Sequence, residues 1–422
     1  MNTNKNIVLL SDIVSVDNFV REIAADRIQE RVHPDDSDLR IYSYTKKTQF
    51  GGLWTPESRL ARGLILRVPG GDFSKATVES RGLPKFFTVS QVESDWGRVK
   101  LIDDDENVVV DEAPEIPWDM PAVVADKMNG ALGLGYIDSS GRFRVSTKGS
   151  FVSLEAEVAN RILDSKYANA TDFFSRCESV DPSFTTMLFE IITPERLHPV
   201  DYGDLEDLIF LGTIDNRTGQ WTPAVGDEDI VLAGFPFAPT HQVKSLREAV
   251  ALPYEDNTEG FVVTVLGGGP DAIYKVKPNE YLMLRRLFYA LQDTELSEFV
   301  TSKGFINRLQ DMDSPEKIDL SDLVGDIVLN GQIKQMFDNR RQAIFDEVVA
   351  PARKIVAGVM NDLQSVDGIR TMNRGEVARY IKANHSDATS LYFAGYDDLI
   401  EGPREDGSYR SNAPAVKLVV AN

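Results

Sequence analysis

The sequence predicts an α+β fold, in which a mixed α/β body of antiparallel sheets with flanking helices precedes an all-helical C-terminal domain. Three observations support this prediction. Strand-like segments are dense between residues 121 and 277. Turns such as IDSSGRF and DNRTGQW separate them and carry the Gly, Asn and Asp that hairpin turns need. After Pro278 the pattern becomes helical.

The first 120 residues are predicted to form the N-terminal portion of the body, which we place at residues 1–285. They combine a helix-like start, SVDNFVREIAADRIQERV, with the strand-like segments LRIYSY and RGLILRV. Seven further strands are predicted downstream, over AVVADK, LGLGYI, FRVSTK, FTTMLFEIIT, EDLIFLGTID, GFVVTVL and AIYKVKP.

The helical domain is placed at residues 286–422. The segment NEYLMLRRLFYALQDTELSEFV leads into it and opens with an Asn cap. Farther on, five apolar residues keep a 7-4-7-4 spacing that lies on one face of a helix: Phe337, Ile344, Val348, Ile355 and Val359. Pro351 is predicted to kink or break this helix.

Composition restricts the function classes. The chain has 422 residues, with 45 basic and 66 acidic side chains and a net charge of −21. This balance excludes a basic nucleic-acid coat, but it permits a nucleic-acid enzyme with cations gathered in one cleft. A single cysteine excludes an internal disulfide and a cysteine-based zinc site. No apolar run is long enough to span a membrane, so we expect a soluble, cytoplasmic protein.

Lys127 is the first candidate for chemistry, because it ends an apolar strand and is followed at once by Asn129-Gly130. On its own, such a lysine is most simply a solvated strand end. However, further charged residues lie at the ends or on one face of other predicted strands: Lys148, Glu190, Glu259, Lys275 and Lys277. Together they provide a lysine nucleophile, two carboxylates able to hold a divalent metal, and cations suited to phosphate. The set favours nucleotidyl transfer.

The order Lys-x-x-Gly, Phe-Glu, Glu-Gly-x-Val and Lys-x-Lys resembles the covalent nucleotidyltransferases, which include RNA ligases, DNA ligases and mRNA capping enzymes. The stretches YSYTKKTQFGGLWTPESRLARGLILRV, SRGLPKFFTVSQ, STKGSF and FEIITPERLHPVDY resemble the RNA ligase 1 family of T-even-type phages in particular. The match covers roughly residues 40 to 285. It implies a nucleotidyltransferase fold with ATP-grasp-like antiparallel sheets.

The resemblance also implies roles for individual residues. Lys127 would be the nucleophile that carries AMP, assisted by Lys275 and Lys277. Glu190 and Glu259 would bind Mg²⁺ or Mn²⁺, and Phe210 or Leu211 would face the adenine unless both lie in the core. The ATP-binding residues would be Tyr44, Arg62, Lys85, Phe87, Gly130, Lys148, Glu190, Glu259 and Gly260.

The implied activity is that of an ATP-dependent, AMP-forming RNA ligase. It would join RNA 5′-phosphate and 3′-hydroxyl ends through a lysyl-AMP enzyme and an adenylylated RNA 5′ end. The implied substrate is nicked tRNA, sealed in the host cytoplasm during phage infection after an end-healing kinase/phosphatase has acted. The helical domain would then be an RNA-specificity domain.

Two alternatives share the scaffold. A DNA ligase or a capping enzyme would normally carry a β-rich barrel after the Lys-x-Lys strand, where this sequence predicts helices. A catalytically inactive RNA-binding relative would retain the scaffold without the chemistry, yet the lysines and glutamates are all present.

Asn129 is one departure from the family pattern, which has Asp two residues after the nucleophile. An amide forms hydrogen bonds but supplies no negative charge. If that Asp orders the water shell of the metal or orients the lysine, adenylation here would be slower or more metal-dependent.

Overall fold

The computed structural model describes residues 7–94, 100–102, 108–110, 115–170, 185–225, 234–269, 272–293, 306–318 and 329–420. Contacts between Cα atoms divide the chain into two units, Met1–Tyr281 and Leu282–Asn422. Within the described residues, no helix is both long enough and apolar enough to cross a membrane.

The strands lie in the first unit. They are β1 (Ile28–His33), β2 (Asp36–Tyr44), β3 (Arg62–Arg67), β4 (Thr77–Ser80), β5 (Lys100–Ile102), β6 (Val108–Val110), β7 (Ala122–Asp126), β8 (Ala131–Ile137), β9 (Phe143–Thr147), β10 (Thr185–Ile192), β11 (Asp207–Asp215), β12 (Trp221–Pro223), β13 (Thr240–His241), β14 (Phe261–Val265) and β15 (Ile273–Val276).

The α-helices are distributed over both units. They are α1 (Val16–Ala24), α2 (Lys46–Gly51), α3 (Pro56–Leu60), α4 (Val89–Glu93), α5 (Leu154–Lys166), α6 (Leu246–Val250), α7 (Asn279–Asp293), α8 (Gly331–Ile344), α9 (Ala350–Ser365), α10 (Arg374–Asn384), α11 (Thr389–Glu401) and α12 (Asn412–Val420).

The strands form antiparallel sheets, which confirms the predicted fold class. Their orders are β1-β2-β3-β4, β12-β11-β10-β8-β9 and β13-β7-β14-β15, with β5-β6 as a separate pair. Helix α5 covers one face of the second sheet, where its Val158 and Ile162 pack in one core with Phe189 of β10. Beyond Asn279, the described residues form helices and no strand, as the sequence predicts.

Strand register places the charged motifs. Phe261 pairs with Asp126 on one side and with Val276 on the other. The residues just outside these pairs, Lys127, Gly260 and Lys277, are therefore brought to one end of the third sheet. In the second sheet, Glu190 of β10 pairs with Leu132 of β8.

The predicted helix over SVDNFVREIAADRIQERV is wrong in its second half. Helix α1 is capped by Ser15 and ends at Ala24, and Asp26 then adopts a positive φ of 55°. Ile28–His33 forms β1 and pairs with β2. The partner strand provides backbone hydrogen bonds that the local sequence pattern does not reveal.

Pro351 does not break its helix. The chain stays helical from Gly331 to Ser365, and the irregularity is a π-helical turn over Phe345–Val349, which ends two residues before Pro351. A wider turn is one way to accommodate a residue that lacks an N–H group and crowds the preceding carbonyl.

The C-terminal tail is held by a buried carboxylate. Asp398 of α11 is 3% exposed and accepts hydrogen bonds from Arg410 N (2.7 Å), Ser411 N (2.9 Å) and Ser411 Oγ (2.7 Å). The guanidinium of Arg410 lies 3.4 Å from the same side chain. These bonds fix the turn that leads into α12.

We expect Asp398→Ala to destabilise the helical unit by about 3 to 5 kcal/mol, because two backbone N–H groups and a guanidinium lose their buried acceptor. Hydrogen exchange of the α12 amides measures this loss. The neighbouring Asp397→Ala is the control. Its partner Arg374 is 68% exposed, and exposed pairs contribute about 0 to 1 kcal/mol. Equal protection of α12 in both variants would contradict the anchoring role.

Candidate active site

Lys127 lies at the end of β7, where its backbone N–H donates to the Gly260 carbonyl at 2.8 Å. Its ammonium group lies 2.9 Å from Glu259 Oε2 and 3.3 Å from the Met128 carbonyl. The side chain is 20% exposed, so the amine is held in place and still accessible.

Glu259 connects the charged residues at this end of the sheet. It is 4% exposed, and its Oε1 lies 2.6 Å from Lys277 Nζ while its Oε2 contacts Lys127. Burial alone would raise the pKa of this carboxyl group, but Lys127 and Lys277 outweigh burial and lower the pKa to about 2. Glu259 is therefore a fixed negative charge between two cations.

Asn129 completes this network. Its Nδ2 donates to Glu259 Oε2 at 2.5 Å and to the Tyr281 hydroxyl at 2.9 Å. Its Oδ1 accepts from the Val200 N–H at 3.2 Å, and its own N–H donates to the Tyr202 hydroxyl at 2.9 Å. Neither tyrosine was among the predicted site residues, although Tyr202 ends the stretch FEIITPERLHPVDY. Tyr281 lies outside the stretches that resemble the RNA ligase 1 family.

Glu190 enters from the second sheet. Its Oε1 accepts from the Gly130 N–H at 2.8 Å. A Cβ at position 130 would lie 2.3 Å from the Ile191 carbonyl oxygen, so only glycine permits this approach. Burial raises the pKa of Glu190 above its ordinary value, although Lys127 acts in the opposite direction.

Gly260 has a separate conformational reason to be glycine. Its φ is +109°, and a Cβ there would lie 2.1 Å from the Val276 carbonyl oxygen. The close crossing brings Glu259 beside Lys277, which follows the end of β15.

Lys275 is held beneath the site by Phe86. Its ammonium donates to the Phe86 carbonyl at 3.2 Å and lies 4.2 Å from the centre of the Phe86 ring. Burial lowers the pKa of Lys275 well below its ordinary value, and four cations lower it further: Arg62, Lys85, Lys127 and Lys277.

Lys85 lies among three aromatic rings. Its Nζ is 5.7 Å from the ring centre of Tyr44, 5.3 Å from Trp54 and 5.5 Å from Phe87. Burial lowers its pKa below the ordinary value. Trp54 was absent from the predicted site, although it stands within the stretch that resembles the RNA ligase 1 family.

Tyr44 also faces Lys148, whose ammonium lies 5.0 Å from the tyrosine ring centre. Burial alone would raise the pKa of the Tyr44 hydroxyl, but Lys85, Arg62 and Lys148 outweigh it and lower the pKa. Phe87 is 4% exposed and packs edge-on against Trp54, so it supports the aromatic cluster from within the core.

A pocket lies between the second and third sheets. Its polar lining residues are Arg62, Asp126, Lys127, Glu190, Thr264 and Lys275, and its apolar walls include Leu83, Phe86, Leu132, Leu211, Trp221 and Val262. Of the two adenine-facing candidates, Leu211 lines this pocket. Phe210 is 1% exposed and belongs to the core beneath α5.

The predicted site residues thus fall into two connected groups. One is centred on Glu259 and holds Lys127, Gly130, Glu190, Gly260 and Lys277. The other is the aromatic cluster with Tyr44, Lys85, Phe87 and Lys148. Arg62 and Lys275 both line the pocket. Arg62 lowers the pKa of Lys85, and the pKa of Lys275 is lowered by cations of both groups, among them Lys85 and Lys127.

The two carboxylates, Glu190 and Glu259, fit a metal ion whose remaining ligands are water and substrate phosphates. In the described part of the chain, no three His, Cys, Asp or Glu side chains are arranged to hold an ion. Both oxygens of Glu259 already contact ammonium groups. Glu190 is the better candidate, because Mg²⁺ commonly binds through one or two carboxylates and completes its coordination with water and substrate phosphates.

Comparison with known proteins gives one relative by sequence. No protein-family model matches the chain. The chain is 26% identical over 257 residues to a protein of Thermovibrio ammonificans named "Putative RNA ligase". The match covers 59% of this chain and 57% of the relative, so the chain spans little more than half of that protein.

Two groups of solved structures are similar to the chain. An archaeal ATP-dependent RNA ligase shares 13% identity with a TM-score of 0.40, over 82% of this chain and 80% of that one. The Naegleria gruberi RNA ligase with PPi shares 12% identity with a TM-score of 0.31, over 61% of this chain and 98% of that one. Structural likeness at these scores supports no inference about the site. The sequence match is therefore the finding that relates this chain to an RNA ligase.

Proposed function

We propose that the protein is an ATP-dependent, AMP-forming RNA ligase that acts through a lysyl-AMP intermediate on Lys127. The observation that carries the proposal is the convergence of an accessible lysine amine with a buried carboxylate 2.9 Å away, beside further cations and an apolar pocket. Sequence similarity to a protein named as an RNA ligase supports it.

In the first step the Lys127 amine, in its unprotonated form, attacks the α-phosphorus of ATP. A phosphorus–nitrogen bond forms, the bond to the bridging oxygen breaks, and pyrophosphate leaves. Glu259 Oε2 lies within hydrogen-bonding distance of the amine and orients it. The proton that the nitrogen loses passes to the departing pyrophosphate or to solvent. Lys277 and Lys275 stabilise the charge on the phosphates.

In the later steps the same residues act on RNA. The RNA 5′-phosphate oxygen attacks the phosphorus of lysyl-AMP and displaces the lysine, which leaves an adenylylated 5′ end. The RNA 3′-hydroxyl then attacks the 5′-phosphate, the phosphodiester bond forms and AMP leaves. Dividing one difficult transfer into three steps is the usual benefit of a covalent intermediate.

Glu190, with Glu259 beside it, would hold the Mg²⁺ or Mn²⁺ ion that neutralises phosphate charge. The protein's own contribution is positional: Gly130 N–H fixes the Glu190 carboxylate at 2.8 Å. Arg62, Lys85 and Lys148 would contact the β- and γ-phosphates, and the pocket walls around Leu211 would enclose the adenine.

The other enzymes on this scaffold fit less well. The described residues that follow β15 are helical, whereas a DNA ligase or capping enzyme would normally continue with a β-rich barrel. An inactive RNA-binding relative has no need for an accessible lysine amine beside a buried carboxylate.

We further propose that the cellular substrate is nicked tRNA, sealed after an end-healing kinase/phosphatase in a phage-infected cell.

We expect the purified protein to form a covalent adduct with α-labelled ATP and a divalent metal, visible after denaturing electrophoresis, and little adduct with α-labelled GTP. Lys127→Ala removes the nucleophile and should abolish the adduct. Lys127→Arg should fail too, because a guanidinium stays protonated. A normal yield of adduct in either variant would refute the assignment of the nucleophile.

We expect Lys277→Ala to lower the rate of adduct formation at saturating ATP by about 10²- to 10³-fold, since one charge positioned at the reacting phosphate is lost. Single-turnover kinetics over a range of ATP concentrations provide the measurement. Lys166→Ala, which removes a surface cation paired with Asp207, is the control. A change confined to the Michaelis constant would mean that Lys277 only binds ATP.

The helical unit is proposed to select structured RNA. Residues 282–422 carry 17 basic and 21 acidic side chains, a net charge of −4, against −17 for residues 1–281. Arg285 and Arg286 of α7 are exposed, and the guanidinium of Arg285 lies 5.4 Å from the ring centre of Tyr289. Arg341 is half-buried and packs its guanidinium over Phe337 at 4.5 Å. The exposed pair is therefore the better candidate for phosphate contacts.

We expect Arg285→Ala with Arg286→Ala to leave adduct formation unchanged and to weaken sealing of a nicked stem-loop, most strongly at low salt and with a shallower salt dependence than the parent, because phosphate contacts release counterions. Sealing of an unstructured strand should fall less. Lys334→Ala with Lys354→Ala removes the same charge from other exposed positions and serves as the control. Equal losses on both RNAs would reject a selecting role for these arginines.

A further inference from the structure

We propose that Asn129 is a positioning residue whose carboxamide holds the Glu259 carboxylate in place, and that Asp at this position would disrupt the site of this chain. The inference rests on the proposed function for its catalytic consequence. It predicts the reverse of the expectation from sequence, in which Asn129 is a weakened form of the family's Asp.

The orientation of the amide is fixed by its neighbours. The Val200 N–H can only donate, and it lies 3.2 Å from Oδ1, so this atom is the carbonyl oxygen. The two hydrogens of Nδ2 then point to Glu259 Oε2 and the Tyr281 hydroxyl. Asn129 is 8% exposed, and both of its side-chain donors have acceptors.

The Glu259 carboxylate, which accepts the hydrogen bond from Asn129, is also held by its neighbours. Glu259 has two oxygens, and each faces one ammonium group: Oε1 faces Lys277 and Oε2 faces Lys127. The bond from Asn129 approaches Oε2 from a neutral donor. It keeps the carboxylate from rotating toward either lysine alone, and so it sets the distance between the carboxylate and the nucleophile.

A carboxylate at position 129 has no hydrogen to donate. Its oxygen would take the place of Nδ2, 2.5 Å from Glu259 Oε2, where two ionised carboxylates repel each other. Lys127 and Lys277 offset this repulsion only in part, because both ammonium groups already contact Glu259. One of the two carboxylates would have to move, and Glu259 would lose its position beside the nucleophile.

The test compares Asn129→Ala, Asn129→Asp, Glu259→Gln and the double variant Asn129→Asp with Glu259→Gln. The double variant exchanges donor and acceptor, so that an amide again faces a carboxylate. The first measurement is the rate of lysyl-AMP formation in single turnover with Mg²⁺ and, separately, Mn²⁺. The second is thermal unfolding of each variant without ATP or metal.

We expect Asn129→Asp to lower the rate at saturating ATP by about 10²-fold, comparable to the loss of one preorganised contact, with a Michaelis constant within a few-fold of the parent. Asn129→Ala should lose less, since it adds no charge. The double variant should be at least tenfold faster than the product of the two single effects predicts, because the two residues are coupled. Its thermal stability should show the same coupling.

Asn160→Asp provides the matched control. Asn160 has the same bonding pattern, with Oδ1 accepting from the Val145 N–H and Nδ2 donating to the Val145 and Ala156 carbonyls, but its partners are backbone groups of β9 and α5. It should lower thermal stability and leave the rate per folded molecule within a few-fold of the parent.

Two results would overturn the inference. One is an Asn129→Asp variant as fast as the parent or faster, and the other is additive behaviour of the two substitutions in both measurements. Failure of the proposed function has a different signature, because the parent protein would then form no adduct at all. In that case the coupling in thermal stability alone would decide whether Asn129 holds Glu259.

Discussion

Glu259 places one negative charge, 4% exposed, between the ammonium groups of Lys127 and Lys277. A buried carboxylate is stable there only because cations and an amide compensate for the lost water. Removing it would take away the negative charge that both ammonium groups contact. The positions of both lysines, and of Asn129, therefore depend on this carboxylate, and its position depends in turn on the register of β7, β14 and β15.

Two backbone crossings make that register possible. The positive φ of Gly260 and the close contact of Gly130 with the Ile191 carbonyl bring strands of separate sheets near the same carboxylates. Lys127 thus stands where the third sheet ends and the second begins, and it lines the pocket between them. The charged residues at the end of the third sheet and the pocket behind them therefore result from one arrangement of strands.

Much of this was predictable from the sequence. The antiparallel body, the helical end and the placement of Glu190 and Glu259 on strands follow from local patterns, because strand periods and turn residues are local properties. The start of β1 was missed, since its partner β2 decides it. Tyr202, Tyr281 and Trp54 were missed for the same reason, as each reaches the site through tertiary packing. The alternation of a strand predicts that Phe210 and Leu211 point to opposite faces of the sheet. The sequence does not tell which of these faces lines the pocket, and the structure shows that it is the face of Leu211.

The charge distribution connects the site to its proposed substrate. The chain carries a net charge of −21, yet the two connected groups of the site gather Lys85, Lys148, Lys275 and Lys277 close to Lys127. Aromatic rings and backbone carbonyls, which carry no net charge, hold Lys85 and Lys275. Such partners stabilise a cation without supplying negative charge, so burial and neighbouring cations lower the pKa of Lys85 and Lys275, and a bound polyanion would favour their charged forms. An acidic surface elsewhere disfavours other sites for that polyanion. The same composition that argues against a general nucleic-acid coat therefore favours binding in this one cleft.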